Sequence, residues 1–388
     1  MLRRTFIGLA GAAMVAGSIT GASAQEAFKI GLILPLTGPF ASTGRQIEAA
    51  AKLYMAQNGD TVAGKKIQLI VKDDTGVPDV SKRIAQELIV NDRVGVIAGF
   101  GLTPLALASA PLATQSKTPQ VVMAAATSII TDQSPFIVRT SFTSFQATVP
   151  LANWAVKQNF KKAMTIVSDY GPGIDVEKAF TETFTKAGGT VENMRVPLAN
   201  PDFSPFLQKV ADAKPDVLLA FVPSGVGSQF MKQFVERGLD KSGVKLIAEG
   251  SVTDDDLINS VGDVALGVIS SHHYSAAHDS PENKAFVEAF KKANNNMRPN
   301  FMAVGGYDGM TAIYEGLKKT NGQGGEALVN AMKGLSWTSP RGPVSIDPAT
   351  REFVQNVYIR KVERVNGELY NIEFDKSEAM KDPAKAGR

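Results

Sequence analysis

An α/β protein built as two units in series is what the sequence predicts, and three observations predict it. Short β-branched runs alternate with longer segments of helical spacing from residue 28 onward. Turn and cap residues sit where one kind of segment gives way to the other. The alternation runs through once and begins again near residue 145. Strands separated by helices of such length imply right-handed crossovers and parallel sheets.

The first strand is expected over residues 29–34 (KIGLIL), ending at Pro35, with helical spacing over 47–55 after the loop PLTGPFASTG. A second strand, 67–72, ends in Asp73, Asp74 and Thr75, and Asp79 is the expected cap of a helix over 80–90. The third begins at Val94 and meets a turn of Gly99, Phe100 and Gly101. Thr103 is then the expected N-cap and Pro104 the first residue of an alanine- and leucine-rich helix. A fourth strand spans 120–123.

The second unit reads helix 145–158, strand 163–167, and a loop from Gly171 into a helix stopped by Gly188 and Gly189. Strand 190–196, helix 203–213, strand 216–222, a helix through 230–235 and strands at 245–248 and 267–270 follow. Beyond His278 helices are expected over 281–293, 304–319 and 327–333, then short strands over 344–346 and 357–365. Asn366-Gly367 is a hairpin turn signal. The last dozen residues, rich in lysine and alanine, are expected to fray.

The ends and the composition bound the compartment. Arg3 and Arg4, the apolar stretch 6–16 and Ala22-Ser23-Ala24 read as a signal peptide over 1–24, cleaved after Ala24 to release the chain to the periplasm. The stretch is too short for a membrane span, and no later run of about 20 apolar residues occurs. The paired arginines leave twin-arginine and general secretory export both open. With no cysteine, the chain forms no disulfide and carries no lipid on an N-terminal cysteine, which predicts a freely soluble protein. Removing Arg3 and Arg4 takes the formal charge from +3 to +1, too little to draw the protein to nucleic acid or anionic lipid.

Motifs for chemistry are missing. No GxxxxGK[ST] loop or GxSxG elbow occurs, and Pro104 stands where a dinucleotide fingerprint needs its third glycine. His272, His273 and His278 lack the cysteines or HExxH of a zinc site and read as lining a domain junction or surface, one of them meeting a ligand. Asp254, Asp255 and Asp256 read as a helix N-terminus rather than a calcium loop. No cofactor is expected, and the chain is built to hold something rather than transform it. The helix opened by Thr103 lies past a strand's carboxyl end, where open sheets bind ligands and free N–H groups attract a carboxylate. Phe100, Phe142, Phe145, Tyr170, Tyr274 and Tyr307 fall near strand–loop boundaries. Each alone is a core residue, whereas several together would wall an apolar cleft.

Taken in order, KIGLILPLTGPFASTGRQIEAAAKLY, KDD, VGVIAGFGLTP, AAATS, FIVRT, SDYGPG and PDVLLAF resemble the periplasmic solute-binding proteins of ABC importers, of the branched-chain amino-acid (Leu/Ile/Val-binding) type. The resemblance covers essentially all of the mature chain. It implies a type I periplasmic-binding-protein fold of two doubly wound α/β lobes joined by three crossovers, closing on ligand about a hinge. Lobe one would be residues 25–143 and 273–351, lobe two 144–272 and 352–376, with a flexible tail at 377–388. Gly101, Leu102 and Thr103, with Ala125, Ala126 and Thr127, would present N–H and hydroxyl groups to the ligand carboxylate. Thr43 would face the cleft, Tyr170 would close over the apolar part, and Glu249 lies near where amino-acid binders offer an acid to the ammonium. Phe100, Phe145, His273 and Tyr307 complete the expected ligand-binding set.

Two departures bear on the ligand. Leu102 replaces a serine of the amino-acid binders, and Ser144 and Phe145 stand where those carry an acid. SHHYSAAHDSP and FMAVGGYDGM also resemble the branch associated with aromatic carboxylates. The expectation is a monomer that captures a small apolar or aromatic carboxylate and delivers it to an ABC permease at the membrane. A branched-chain or aromatic amino acid is the alternative ligand, and a ligand-sensing module the alternative role. An exported enzyme is disfavoured, although fold alone never excludes catalysis.

Overall fold

The computed structural model describes residues 27–387, so the signal peptide expected over 1–24 lies outside the described residues. The first sheet is built from β1 (Phe28–Leu34), β2 (Thr61–Val62), β3 (Lys65–Asp73), β4 (Val96–Gly99), β5 (Gln120–Val122) and β6 (Ile137–Arg139). Their order is β2-β3-β1-β4-β5-β6, parallel throughout except for β2. Ile30, Leu32, Ile33 and Leu34 of the central strand are all fully buried, because helices cover both faces. That is why the run is continuously apolar instead of alternating. The covering helices are α1 (Ala41–Asn58), α2 (Pro78–Val90) and α3 (Thr103–Ser116).

The chain then crosses into lobe two through α4 (Ser144–Lys157), whose Thr143 and Gln146 form a reciprocal capping box. There follow β7 (Lys162–Ser168), α5 (Gly171–Lys186), β8 (Thr190–Val196), α6 (Ser204–Ala213), β9 (Val217–Phe221), α7 (Gly227–Glu236), β10 (Lys245–Glu249), α8 (Ile258–Val261) and β11 (Ile269–His272). A second crossing leads back to α9 (Pro281–Ala293), α10 (Phe301–Lys319) and α11 (Gly325–Met332), with α9 and α10 packed on α1. The hairpin β12 (Ser336–Ser339) and β13 (Gly342–Ile346) precedes the third crossing. The chain ends on β14 (Phe353–Val365) and β15 (Glu368–Met380). The second sheet runs β12-β13-β14-β11-β10-β9-β7-β8, with β15 added to β14. Its parallel part is β8 to β11, and β14 joins antiparallel to β11.

Several local expectations need correcting. The cap of α3 is the extended Leu102, and Thr103 is already helical, its hydroxyl turned to a tertiary partner. Asp79 sits inside the first turn of α2, which Val77 and Pro78 open. Asp254, Asp255 and Asp256 follow a short 3₁₀ turn, Gly250–Thr253, and the first two are buried, so they do not form a solvated helix N-terminus. β6 was not expected at all, being only three residues long.

The final hairpin is also longer than expected. Its second strand is exposed along much of its length, so its polar sequence carried no apolar pattern. Nor does the end of the chain fray. Asp382 and Lys385 are buried and ion-paired or hydrogen-bonded to lobe one, a destination that lysine-rich composition does not reveal.

Candidate functional site

The carboxyl ends of β1, β4 and β5 face those of β7, β9 and β10 across a space of about 390 Å³, its mouth included. On lobe one the wall begins at the turn after β4. Gly99 and Phe100 there have φ of +106° and +64°, and a Cβ on Gly99 would stand 2.4 Å from the Ile33 carbonyl oxygen. A phenylalanine held in the left-handed region costs on the order of 1 kcal/mol. Its ring, wholly buried in the core, and its N–H bond to Ile33 oxygen (2.9 Å) hold it there. The turn delivers Gly101, Leu102 and Thr103 to the cleft.

The loop after β5 converges on the same spot. Thr103 and Thr127 share a hydrogen bond between their hydroxyls at 2.7 Å. The carbonyls of Ala125 and Thr127 accept from the buried Arg139 (3.1 and 2.6 Å), and that of Ala126 from the Ser144 N–H (3.0 Å). With its carbonyls so engaged, the loop turns its N–H groups the other way. Among the described residues none accepts from the backbone N–H groups of Leu102, Thr103, Ala126 and Thr127. Unpartnered N–H groups beside a helix N-terminus form an anion cradle without a formal positive charge. Phe142, Phe301 and Met302 complete this side.

Lobe two presents rings and acceptors. Tyr170, at the start of α5, stacks on Phe221 with ring centres 6.0 Å apart. Burial, reinforced by the charge of Glu249, pushes the Tyr170 phenol upward, so it stays a hydroxyl donor. Glu249, 1% exposed, ends β10. Its Oε2 accepts from the Ser251 N–H at 3.0 Å and stands 2.5 Å from the Ser251 hydroxyl, while Oε1 lies 2.8 Å from His272 Nε2. Burial opposes its ionisation, but His272 and Ser251 outweigh burial and hold the carboxyl below its usual range. Burial conversely lowers His272, against the pull of Glu249. Asp254, also buried, is driven well above the carboxylate range by burial and then by Asp256.

The two lobes touch. A Cβ on Gly171 would meet Thr127 Oγ1 at 2.4 Å, Asp175 of α5 accepts from the Ser128 N–H at 2.9 Å, and Asp256 accepts from the Ser42 hydroxyl at 2.8 Å. This is a closed arrangement, with the lobes in contact across the cleft. Among the described residues no cluster of three histidine, aspartate or glutamate side chains is placed to hold a metal ion, and no helix is long and apolar enough to cross a membrane.

Residues 27–368 match the family model described as periplasmic binding protein. The chain belongs to the periplasmic binding protein family. This periplasmic binding protein is 62% identical to a solute-binding protein of an ABC transporter from Rhodopseudomonas palustris BisB5, solved in complex with 3,4-dihydroxybenzoic acid. The TM-score is 0.91, and the match covers 92% of this chain and 99% of that one. A second such protein, from Rhodopseudomonas palustris HaA2 in complex with p-hydroxybenzoic acid, is 41% identical with a TM-score of 0.90 over 94% of this chain and 100% of its own. A relative from Brucella abortus (strain 2308), the Leu/Ile/Val-binding protein homolog 6, is 44% identical over 93% of this chain and 94% of its length.

Of the residues expected at the site, Thr43, Gly101, Leu102, Thr103, Ala126, Tyr170 and Glu249 line the cleft of this periplasmic binding protein. Thr127 stands beside it, bonded to Thr103. Phe100 is core, and Phe145 is buried in the first turn of α4 without reaching the cavity. His273 lies behind the wall, its ring 5.0 Å from that of Phe142 and 5.9 Å from that of Phe301. Tyr307 is elsewhere, bonded to Gln57 and packed edge-on against Tyr54. Phe221, Ser224, Ser251, Phe301 and Met302 went unnoticed as lining residues. For Phe301 and Met302 the signal was Asn300, whose side chain caps α10 four residues before the helix expected from 304.

Proposed function

We propose that this protein captures a hydroxylated aromatic carboxylate in the periplasm and delivers it to the permease of an ABC importer. The observation that carries the reading is the set of four backbone N–H groups without acceptors, set in an uncharged cradle and faced by aromatic walls. The ligand's carboxylate lies in that cradle, its ring between Phe142 and Phe301 on one side and Tyr170 and Phe221 on the other. Its ring hydroxyl donates to Glu249. Aromatic acids bound by the two Rhodopseudomonas palustris proteins support this choice. An amino acid would instead bury an ammonium, which is costly unless it is paired. Glu249 and the Leu/Ile/Val-binding homologue favour that second reading. The departure at Phe145 does not weigh between them, because its ring does not line the cleft.

Residues 25–143 with 273–351, and 144–272 with 352–376, move as the two hinged bodies of a monomer. The ligand favours the closed form by contacting both, and leaves unaltered. Calorimetry of the purified chain with 4-hydroxybenzoate, 3,4-dihydroxybenzoate, benzoate and leucine tests the reading. The hydroxylated acids bind most tightly and are recovered unchanged. Tighter binding of leucine would transfer the assignment to amino acids.

A further inference from the structure

The segment after β15 does not leave the protein. β15 belongs to the lobe two sheet, yet residues 382–385 pack on lobe one beside the loop that carries the N–H donors. Asp382 Oδ1 accepts from the Ser128 and Thr143 hydroxyls, each at 3.1 Å. Lys385, 5% exposed, donates from Nζ to Glu352 Oε1 at 3.0 Å and to the Thr131 hydroxyl, and it pairs with Asp132 at 3.2 Å. Thr131 Oγ1 in turn donates to the same Glu352 oxygen at 2.7 Å. The other oxygen, Oε2, lies 2.8 Å from Nε of Arg139.

Arg139 is wholly buried, and its remaining nitrogens are all spent on carbonyls. Nη1 donates to Ala125 and Phe142, and Nη2 to Thr127. In a trans peptide the C=O and the next N–H point in opposite directions. Fixing the Ala125 carbonyl therefore aims the Ala126 N–H, and fixing the Thr127 carbonyl aims the Ser128 N–H that Asp175 of lobe two receives. A carboxylate left free beside an arginine prefers the two-pronged pairing, which would draw an Nη off its carbonyl. Lys385 and Thr131 occupy Oε1 and prevent this. The guanidinium keeps its fork for the loop.

We infer that Lys385 is a positioning residue of the anion cradle, acting through Glu352 and Arg139 on the peptide planes of residues 125–128. The inference rests on the proposed reading that a ligand carboxylate lies at those N–H groups. The test is a double-mutant cycle on the full chain, read as the Kd for 4-hydroxybenzoate at 25 °C with melting temperatures alongside. Lys385→Met is expected to weaken binding about tenfold, within the coupling range of residues that share one network. Lys385→Arg restores most of it, and the double variant with Glu352→Gln binds no worse than Glu352→Gln alone. A Lys385→Met protein that melts earlier but binds like the wild type has lost only stability, which overturns the inference. Losses that simply add in the double variant overturn the relay through Glu352. Should Lys385→Met not fold, Thr131→Val frees the same carboxylate oxygen and must weaken binding in the same sense. If the wild type takes leucine and not 4-hydroxybenzoate, the proposed ligand falls and the cycle is run with leucine, whose carboxylate would meet the same loop.

Discussion

The two faces of the cleft are chemically unlike. Lobe one contributes backbone donors, the hydroxyls of Thr103 and Thr127 and the rings of Phe142 and Phe301, with no charged side chain among its lining residues. Lobe two contributes a carboxylate, a phenol held protonated and the ring of Phe221. Donors on one side and an acceptor on the other give a ligand a direction, as long as one of its ends is an anion and the other a donor. A cradle of neutral N–H groups also avoids burying a cation that would stand unpaired whenever the cleft empties. On the proposed reading the contrast teaches that selectivity resides in lobe two, while lobe one supplies a grip common to carboxylates.

The largest expected effect comes from placing an acid in the donor face. Leu102→Asp sets a like charge beside the ligand carboxylate, and such juxtaposition costs several kcal/mol, or about a thousandfold in Kd. Calorimetry should find binding of every carboxylate lost together, since all use the same grip. Next in size is Gly171→Ala, where the new Cβ would meet Thr127 Oγ1 at 2.4 Å and keep the faces from closing. Overpacking of this kind costs ~1–3 kcal/mol, so binding should weaken roughly ten- to hundredfold, seen in stopped-flow as faster release. The melting temperature of the empty protein should hold, because the lobes themselves are untouched. Smaller and more selective is Glu249→Gln. A hydrogen bond to a charged acceptor contributes ~1.5–3 kcal/mol, so 4-hydroxybenzoate should lose about tenfold or more while benzoate changes little. Equal loss for both would mean that lobe two does not read the hydroxyl.

How far the sequence carried the reading differs between the faces for the same physical reason. The donor face was legible because it is local. A buried strand, a turn at Gly99 and a helix opened near Thr103 put the N–H groups where a βα unit must put them. Tyr170, two residues past β7, and Glu249, at the end of β10, were expected through the family resemblance. What stayed hidden is held from a distance. Phe301 and Met302 reach the cleft only because α10 lies along α1, about 250 residues earlier in the chain. Tyr307, on the same helix, was expected there and is not. At about 100° per residue, six residues after Phe301 place it on another face. Arg139 and Lys385 were invisible as partners, since nothing in FIVRT or in a lysine-rich tail announces a shared buried carboxylate.

The smallest expected effect probes where the two faces touch. Asp175 is a lobe two acceptor for a lobe one N–H, and burial pushes its carboxyl up from its ordinary value of 3.8 to about 6. An acid raised in the folded state contributes stability that is complete below its ordinary value and is lost as pH climbs through about 6. Asparagine is uncharged throughout and keeps an oxygen for the Ser128 N–H. Asp175→Asn should therefore melt with the wild type near pH 4 and above it near pH 7, the gap opening between those limits by a few degrees. Asp74 and Asp255 are raised to about 6 by burial as well, so the wild-type curve alone does not isolate the contact. The difference between the two proteins does. A variant that melts below the wild type at pH 7 would show that the ionised Asp175 is a net tie between the faces, and that lobe two contributes its charge to closure as well as to selectivity.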